Sequence, residues 1–518
     1  MQFDWTALRR ASLALALFAC GVMGSAWADN PPSRPEATTL ADQKGSPSAR
    51  GGQTPSTPSA AEQHRLPPDS TTRQTIELPG RTLAFTSTAG SIRLFDEKGE
   101  PQADIAYTSY QLDGGDRVTR PVTFFFNCAP GASSAWLQLG SAGPWRLPIN
   151  ADEVTPSTSA EVKPNAESWL DFTDLVFIDP VGTGYSRFVA TGADVRKRLF
   201  SVDGDVNALA VVIRRWLEKH DRLLSPKYVA GESYGGIRGQ KVVRQLQKQQ
   251  GVGVKGLIMI SPVFDFRDFG GTSLLQYVAR LPSYVATARE AKGPVKPADR
   301  AYARGEFLTD LVKGTADKEA ATQLADKVAT LTGIDQAVSR RLAGRFDVAD
   351  FRRELDRKNG KVTGRFDASM RRLDPYPDSN SSRSGDRSGE ALLAPLTSTA
   401  VDLLTCKLNW RPDGSYELIN GAVGQAWDFG RGPAQSVSEL REILATDAKM
   451  TMLVGHGLFD LATPYFGSQI VLDQLPAFAA APRVKVAVYP GGQMFYSRDA
   501  SRQAFRAEVE AMMKPAVK

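Results

Sequence analysis

Histidine is scarce in this chain: His64, His220 and His456 are the whole complement of 518 residues. Chemistry that gathers several imidazoles around a metal is poorly served by so few, and neither a metal-ligand cluster nor a phosphate-binding glycine loop points to a cofactor. Cysteine is equally rare, at Cys20, Cys128 and Cys406, which excludes a fold built on a disulfide framework. Cys128 and Cys406 are left as one disulfide or two thiols. Long basic runs are few, and a net charge of +6 spread along the chain leaves no electrostatic footprint for nucleic acid. No apolar run is long enough to span a bilayer.

What is present is ordinary globular material, 42% hydrophobic and 23% charged, well outside the disordered class. Near the start, Arg9 and Arg10 precede the short apolar run ASLALALFACGVMG, and Ala26-Trp27-Ala28 fits a small-x-small cleavage site. Residues 1–28 therefore read as a signal peptide and the protein as exported, periplasmic or secreted. Lipid attachment at Cys20 is the rival reading, disfavoured by the bulk of Phe18 and by apolar sequence continuing past the cysteine. Residues 29–70 are rich in Pro, Ser, Thr and Gly and read as a flexible tether, because they cannot bury enough surface to offset their chain entropy.

Order is expected from residue 71. RTLAFTSTAGSIRLFDEKGEPQADIAYTSYQLDG has the texture of antiparallel strands joined by glycine turns. Four compact apolar runs follow, PVTFFFNCAPG, TDLVFIDPVG, KYVAGESYGG and KGLIMISPVF, with a helical repeat of Val206, Leu209, Ile213, Trp216 and Leu217 between the second and third. Such alternation predicts an α/β fold, a mostly parallel central sheet flanked by helices. From 265 to 448 the pattern gives way to helical segments and a polar loop, expected to form an inserted helix-rich cap. The core resumes over 449–518 with the strands KMTMLVGHGLFD and VKVAVYPGGQMF and a final helix.

Gly231-Glu232-Ser233-Tyr234-Gly235 is a G-x-S-x-G between strand and helix. Its small residues permit a sharp turn that lifts the Ser233 hydroxyl above the sheet as a nucleophile, with the Tyr234 N–H facing a developing oxyanion. A serine needs a base, and the base needs an orienting carboxylate. Asp460, after a buried strand and before a helix near Pro464, is the acid candidate; its bland alternative is an aspartate at a helix N-terminus. The loop after the next strand, where histidine is expected, carries Gln493.

Five ordered motifs, NCAPGASS, VFIDPVGTGYS, GESYGG, GLFDLATP and GGQM, span residues 127 to 494 and resemble the serine carboxypeptidase family, most closely its bacterial branch. The resemblance implies an α/β-hydrolase fold and release of a C-terminal residue through an acyl-Ser233 intermediate, with Asp460 as triad acid and Gln493 at the histidine position. It makes Tyr234 and Ala129 the oxyanion donors, and Asn127, Cys128 and Glu232 the network that holds the terminal carboxylate of a peptide or protein. It implies no cofactor. Ser141 stands where eukaryotic members carry a second glutamate, so a paired-carboxylate preference for acid is not expected.

The departures fall on the catalytic machinery. An amide has no useful proton affinity near neutral pH, so Gln493 cannot act as general base. Ala129 and Cys128 add bulk where the family has glycines. His64 lies in the tether, His220 ends a helix where positive charge suits the dipole, and His456, four residues before Asp460, is the nearest substitute base or else a structural histidine lining the pocket. The expectation is an impaired peptidase, with a peptide-binding pseudoenzyme as the alternative; an esterase or acyltransferase on this scaffold would lack the same base. The oligomeric state is not legible.

Overall fold

The computed structural model describes residues 65–149, 155–158, 161–269, 272–289, 297–379, 385–478 and 483–514. The expected leader, Cys20, His64 and most of the tether lie outside these residues. Packing begins a few residues before the tether's expected end. Leu66 is buried with its N–H on Asp104 Oδ2 at 3.2 Å, and Asp69 takes hydrogen bonds from Tyr107 and Lys219, both at 2.5 Å.

Three long strands come first, Ser70–Leu78 (β1), Arg81–Phe95 (β2) and Pro101–Leu112 (β3), paired antiparallel as their alternating sequence suggests. The four apolar runs become Val122–Phe126 (β4), Asp174–Ile178 (β5), Lys227–Glu232 (β6) and Gly256–Ile260 (β7), buried along their whole length. Thr451–Gly457 (β8) and Val484–Tyr489 (β9) complete one sheet in the order β1-β2-β3-β5-β4-β6-β7-β8-β9. From β5 to β9 every pairing is parallel.

Because successive side chains leave a strand on opposite faces, each central strand feeds two cores. Phe124, Phe126, Val176, Ile178, Leu257, Met259, Met452 and Val454 pack on one face under the helices Val202–Lys219 (α1) and Gly235–Gln245 (α2). Phe125, Leu175, Phe177, Ile258, Ile260 and Leu453 pack on the other. Ser201 caps α1 by accepting the Gly204 N–H.

Within 265–448, only the first half stands apart from the sheet. The helices Leu275–Arg289 (α3) and Lys318–Thr332 (α4) share a separate core with Phe346, Phe351 and Ala368. Further on, Leu392, Leu396 and Ala400 of the helix Arg387–Asp402 (α5) pack into the sheet's second face, and Leu440, Ile443 and Leu444 of Val437–Thr446 (α6) into its first. The stretch between them is laid along the core by isolated bridges, Ala132 to Ile419, Gly184 to Glu417 and Ser201 to Asp428. Tyr465–Leu472 (α7) follows β8, beginning at Pro464, and Asp499–Met513 (α8) closes the second face through Phe505, Val509 and Met513. Among the described residues no helix is long and apolar enough to cross a membrane.

Candidate active site

Ser233 sits in the turn from β6 to α2 with a φ of 56°, in the left-handed region that few side chains other than glycine adopt. The turn is pinned on all sides. Ser233 N–H donates to the Ile260 carbonyl at 2.9 Å, and its own carbonyl accepts from Gly236 and Val263, each at 2.9 Å. Gly231 is needed because a Cβ there would lie 2.2 Å from the Gly235 carbonyl oxygen. Strain held in this way is how a strand-to-helix turn keeps a nucleophile at the sheet's edge.

The parallel register pairs Phe126 of β4 with Gly231 of β6, so Asn127 and Glu232 emerge side by side. Asn127 Nδ2 donates to Glu232 Oε2 at 2.6 Å, and its Oδ1 accepts the Leu137 N–H at 2.9 Å. Tyr496 donates its hydroxyl to Glu232 Oε1 at 3.0 Å. Beneath Asn127, the buried Arg238 donates to the Asn127 carbonyl at 3.2 Å and to Asp205 at 2.7 Å. Ala129 keeps an ordinary φ; the left-handed residue of its loop is Gly131, at 98°, where a Cβ would meet the Asn420 carbonyl oxygen at 2.3 Å. Ala129 therefore carries its Cβ without backbone strain. Cys128 is half-buried beside Asn127, Cys406 is exposed, and the two are not joined.

On the acid side, Asp460 is wholly buried, and its carboxylate is occupied by its own turn: Oδ1 accepts from the Ala462 and Thr463 N–H groups at 2.8 and 2.9 Å, Oδ2 from the Thr463 hydroxyl at 2.5 Å. Burial pushes its pKa up to about 7 against these hydrogen bonds and the Arg365 charge. These bonds also brace the entry to α7. At the position where the sequence leads one to expect the base, Gln493 N–H donates to the Phe366 carbonyl at 2.6 Å and its carbonyl accepts the Ser261 hydroxyl at 2.9 Å. The side chain is buried, and Oε1 has no hydrogen-bond partner. The glycines before it allow the loop to close: a Cβ on Gly457 would come within 1.7 Å of the Gly492 carbonyl oxygen.

Neither described imidazole supplies a base. His456 belongs to β8 itself, on the face shared with Met452 and Val454, and neither ring nitrogen has a hydrogen-bond partner. It is therefore not bonded to Ser233. Burial pushes its pKa down to about 3, opposed only in part by the Thr463 backbone, which lies outside hydrogen-bond geometry. His220 caps α1 but does not carry the charge expected for the helix dipole. It stacks on Trp216, with ring centroids 4.4 Å apart, and contacts the Tyr107 hydroxyl at 3.3 Å; burial, then Lys219, lower its pKa to about 4. The NMR signals of both rings are expected to stay unchanged between about pH 5 and 8, where an ordinary histidine titrates; a midpoint near 6.5 for His456 would contradict its burial. The sign of the stability effect follows. Below about pH 6.5 the unfolded chain takes up a proton that folded His456 refuses, so the fold loses roughly 1.4 kcal/mol per pH unit from this group as acid is added.

Two contributions were not visible in the motifs. Arg365–Ala368, from the inserted region, is stitched to both loops: Arg365 O accepts from Leu461 at 3.1 Å, Phe366 O from Gln493, and Ala368 N–H donates to Phe459 at 3.0 Å. Tyr496, three residues past Gln493, joins the Glu232 network; its place two residues after GGQM is the available signal. Ser141 is buried with its hydroxyl unpartnered and takes no part. Among the described residues no group of three or more His, Cys, Asp and Glu side chains could hold a metal.

Residues 82–269 match the serine carboxypeptidase family model. That stretch contains Asn127, Glu232 and Ser233 but stops short of Asp460 and Gln493. The chain is 31% identical over 194 residues to the retinoid-inducible serine carboxypeptidase of Mus musculus, covering 34% of this chain and 42% of that one. It is 28% identical over 148 residues to serine carboxypeptidase-like 13 of Arabidopsis thaliana, covering 28% and 33%. The matched stretch thus spans under half the length of these relatives. The crystal structure of a prohormone-processing carboxypeptidase from Saccharomyces cerevisiae superposes with a TM-score of 0.52 at 16% identity, over 82% of this chain and 91% of that one. The fold is that of an α/β-hydrolase.

Proposed function

We propose that this is a serine-carboxypeptidase-like protein that takes up peptide C-termini at Asn127 and Glu232, beside Ser233, and turns them over far more slowly than a complete triad would. The observation that carries this reading is the buried amide of Gln493 at the position expected for the base, together with an imidazole, His456, that is buried and makes no hydrogen bond to Ser233. Loss of the base from such a triad costs roughly 10⁶-fold in turnover, while roughly 10³-fold catalysis over water survives through oxyanion contacts and binding. Binding without any turnover is the limiting case of the same reading. The amino-terminal leader makes export, to a periplasm or to the exterior, part of this proposal.

A blocked dipeptide and a fluorophosphonate probe test it directly. The native protein is expected to bind the dipeptide, to hydrolyse it at a rate near the detection limit and to label weakly, with Ser233→Ala abolishing what labelling there is. Robust hydrolysis that depends on Ser233 would overturn the proposal by showing that another base is at work.

A further inference from the structure

The network around Glu232 holds one member that neither the motifs nor the family match singles out. Tyr496 is fully buried and fixed from two sides. Arg502 Nη1 donates to its carbonyl at 2.9 Å, and Gly140 leaves the space its ring fills, since a Cβ there would come within 2.8 Å of Tyr496 Cε2. The hydroxyl donates to Glu232 Oε1 at 3.0 Å while Asn127 Nδ2 donates to Oε2 at 2.6 Å. Asn127 cannot flip to offer its oxygen, because Oδ1 is held by the Leu137 N–H. Both carboxylate oxygens therefore receive donors from neutral groups, and each such bond favours the charged form. The tyrosine is a lasting donor: burial and then the Glu232 charge push its own ionisation well above the usual tyrosine range.

We propose that Tyr496 is a positioning residue for this pocket: its hydroxyl, aimed at Glu232 from a fixed ring, favours the ionised form of Glu232 over the protonated one and so helps to decide at what acidity the pocket takes up an anionic peptide terminus. The consequence for ligands rests on reading Asn127 and Glu232 as the grip for that terminus. Two carboxylates brought to bonding distance cannot both stay ionised, so a peptide acid binds with one proton shared between its terminus and Glu232. Uptake then weakens as pH rises through the Glu232 titration. Among the described residues, the other titratable groups bearing on the site include the Cys128 thiol, whose charge acts on Tyr496, the Arg238–Asp205 pair behind Asn127, and Arg502 with its partners Glu167 and Asp499 beside the Tyr496 main chain.

Tyr496→Phe deletes a donor to the charged form, so the Glu232 titration moves up, and the variant binds a peptide acid better than the parent at alkaline pH although it has lost a hydrogen bond. An infrared pH titration of the ligand-free full chain, with the Glu232 band identified by its loss in Glu232→Gln, is expected to show a midpoint about one pH unit higher in Tyr496→Phe. Gly140→Ala, which crowds the ring from its other edge, should move it the same way. In a Ser233→Ala background, calorimetry with a blocked dipeptide acid should show the alkaline limb of binding shifted by the same amount, about tenfold in affinity on that limb, and the dipeptide amide should show no limb. An unshifted midpoint, or binding weakened equally at every pH, would overturn the proposal. A shifted midpoint with peptide-acid binding indifferent to pH would uphold the part played by Tyr496 and overturn the grip on a terminal carboxylate.

Discussion

Gln493→His is expected to raise the rate of Ser233 acylation by about 10³-fold or more, measured as fluorophosphonate labelling and as turnover of a blocked dipeptide, and Ser233→Ala in the same background should erase the gain. The main chain at 493 is already tied to Phe366 O and to Ser261, so the substitution changes a buried side chain without releasing its loop. Imidazole and the glutamine amide are of similar size, and the partnerless Oε1 marks polar space that a ring nitrogen can use. On the proposed reading Asp460 is the acid that partners the new histidine and sets the pH profile. Its pKa of about 7 means that the carboxylate able to steady an imidazolium is only partly present at neutrality, so the rescued rate should climb with pH through that region as Asp460 ionises and the new histidine loses its proton. A gain confined to the base would leave the oxyanion side intact. No gain would place the defect at Cys128–Ala129, where glycines are expected from the family pattern.

The second large effect is on stability. Arg238→Leu is expected to lower the unfolding free energy by roughly 3–5 kcal/mol at neutral pH, because it strands the buried Asp205. Burial already raises the Asp205 pKa and Arg238 opposes that shift; without the arginine it rises further. A carboxylate whose folded pKa lies above its unfolded value costs most once the unfolded chain ionises, so the deficit should be full at neutral pH and shrink as pH falls towards about 4. Adding Asp205→Asn should recover most of it. Denaturant titration at two pH values checks both statements, and a loss below about 1 kcal/mol, or one independent of pH, would contradict them. The same variant removes the support under the Asn127 carbonyl, so it should also weaken peptide uptake.

The parts of this structure that could be read from sequence are those whose signal is local. Gly231 and Gly235 around Ser233 announce a turn with no room for side chains, and the uninterrupted apolar runs of β4 to β7 announce strands covered on both faces. Pro464 marks the start of α7 because a proline lacks the N–H that a helix interior needs. The failures are all long-range. A histidine at a helix end reads as a dipole partner until Trp216 and Tyr107 are seen to bury it. The helical texture of 265–448 cannot say which helices return to the sheet, since Leu392 and Leu396 have the same period whichever core they enter. Tyr496 and Phe366 act across more than a hundred residues of chain, where no periodicity reaches.

Arg365–Ala368 belongs by sequence to the insertion, yet its main chain grips the Asp460 loop and the Gln493 loop together. Peptide-group bonds of this kind do not depend on side-chain identity, so substitutions along 365–368 can accumulate without loosening the clamp. The inserted segment and the two loops are thereby joined at this corner, so a displacement of 365–368 has to carry the Asp460 and Gln493 loops with it.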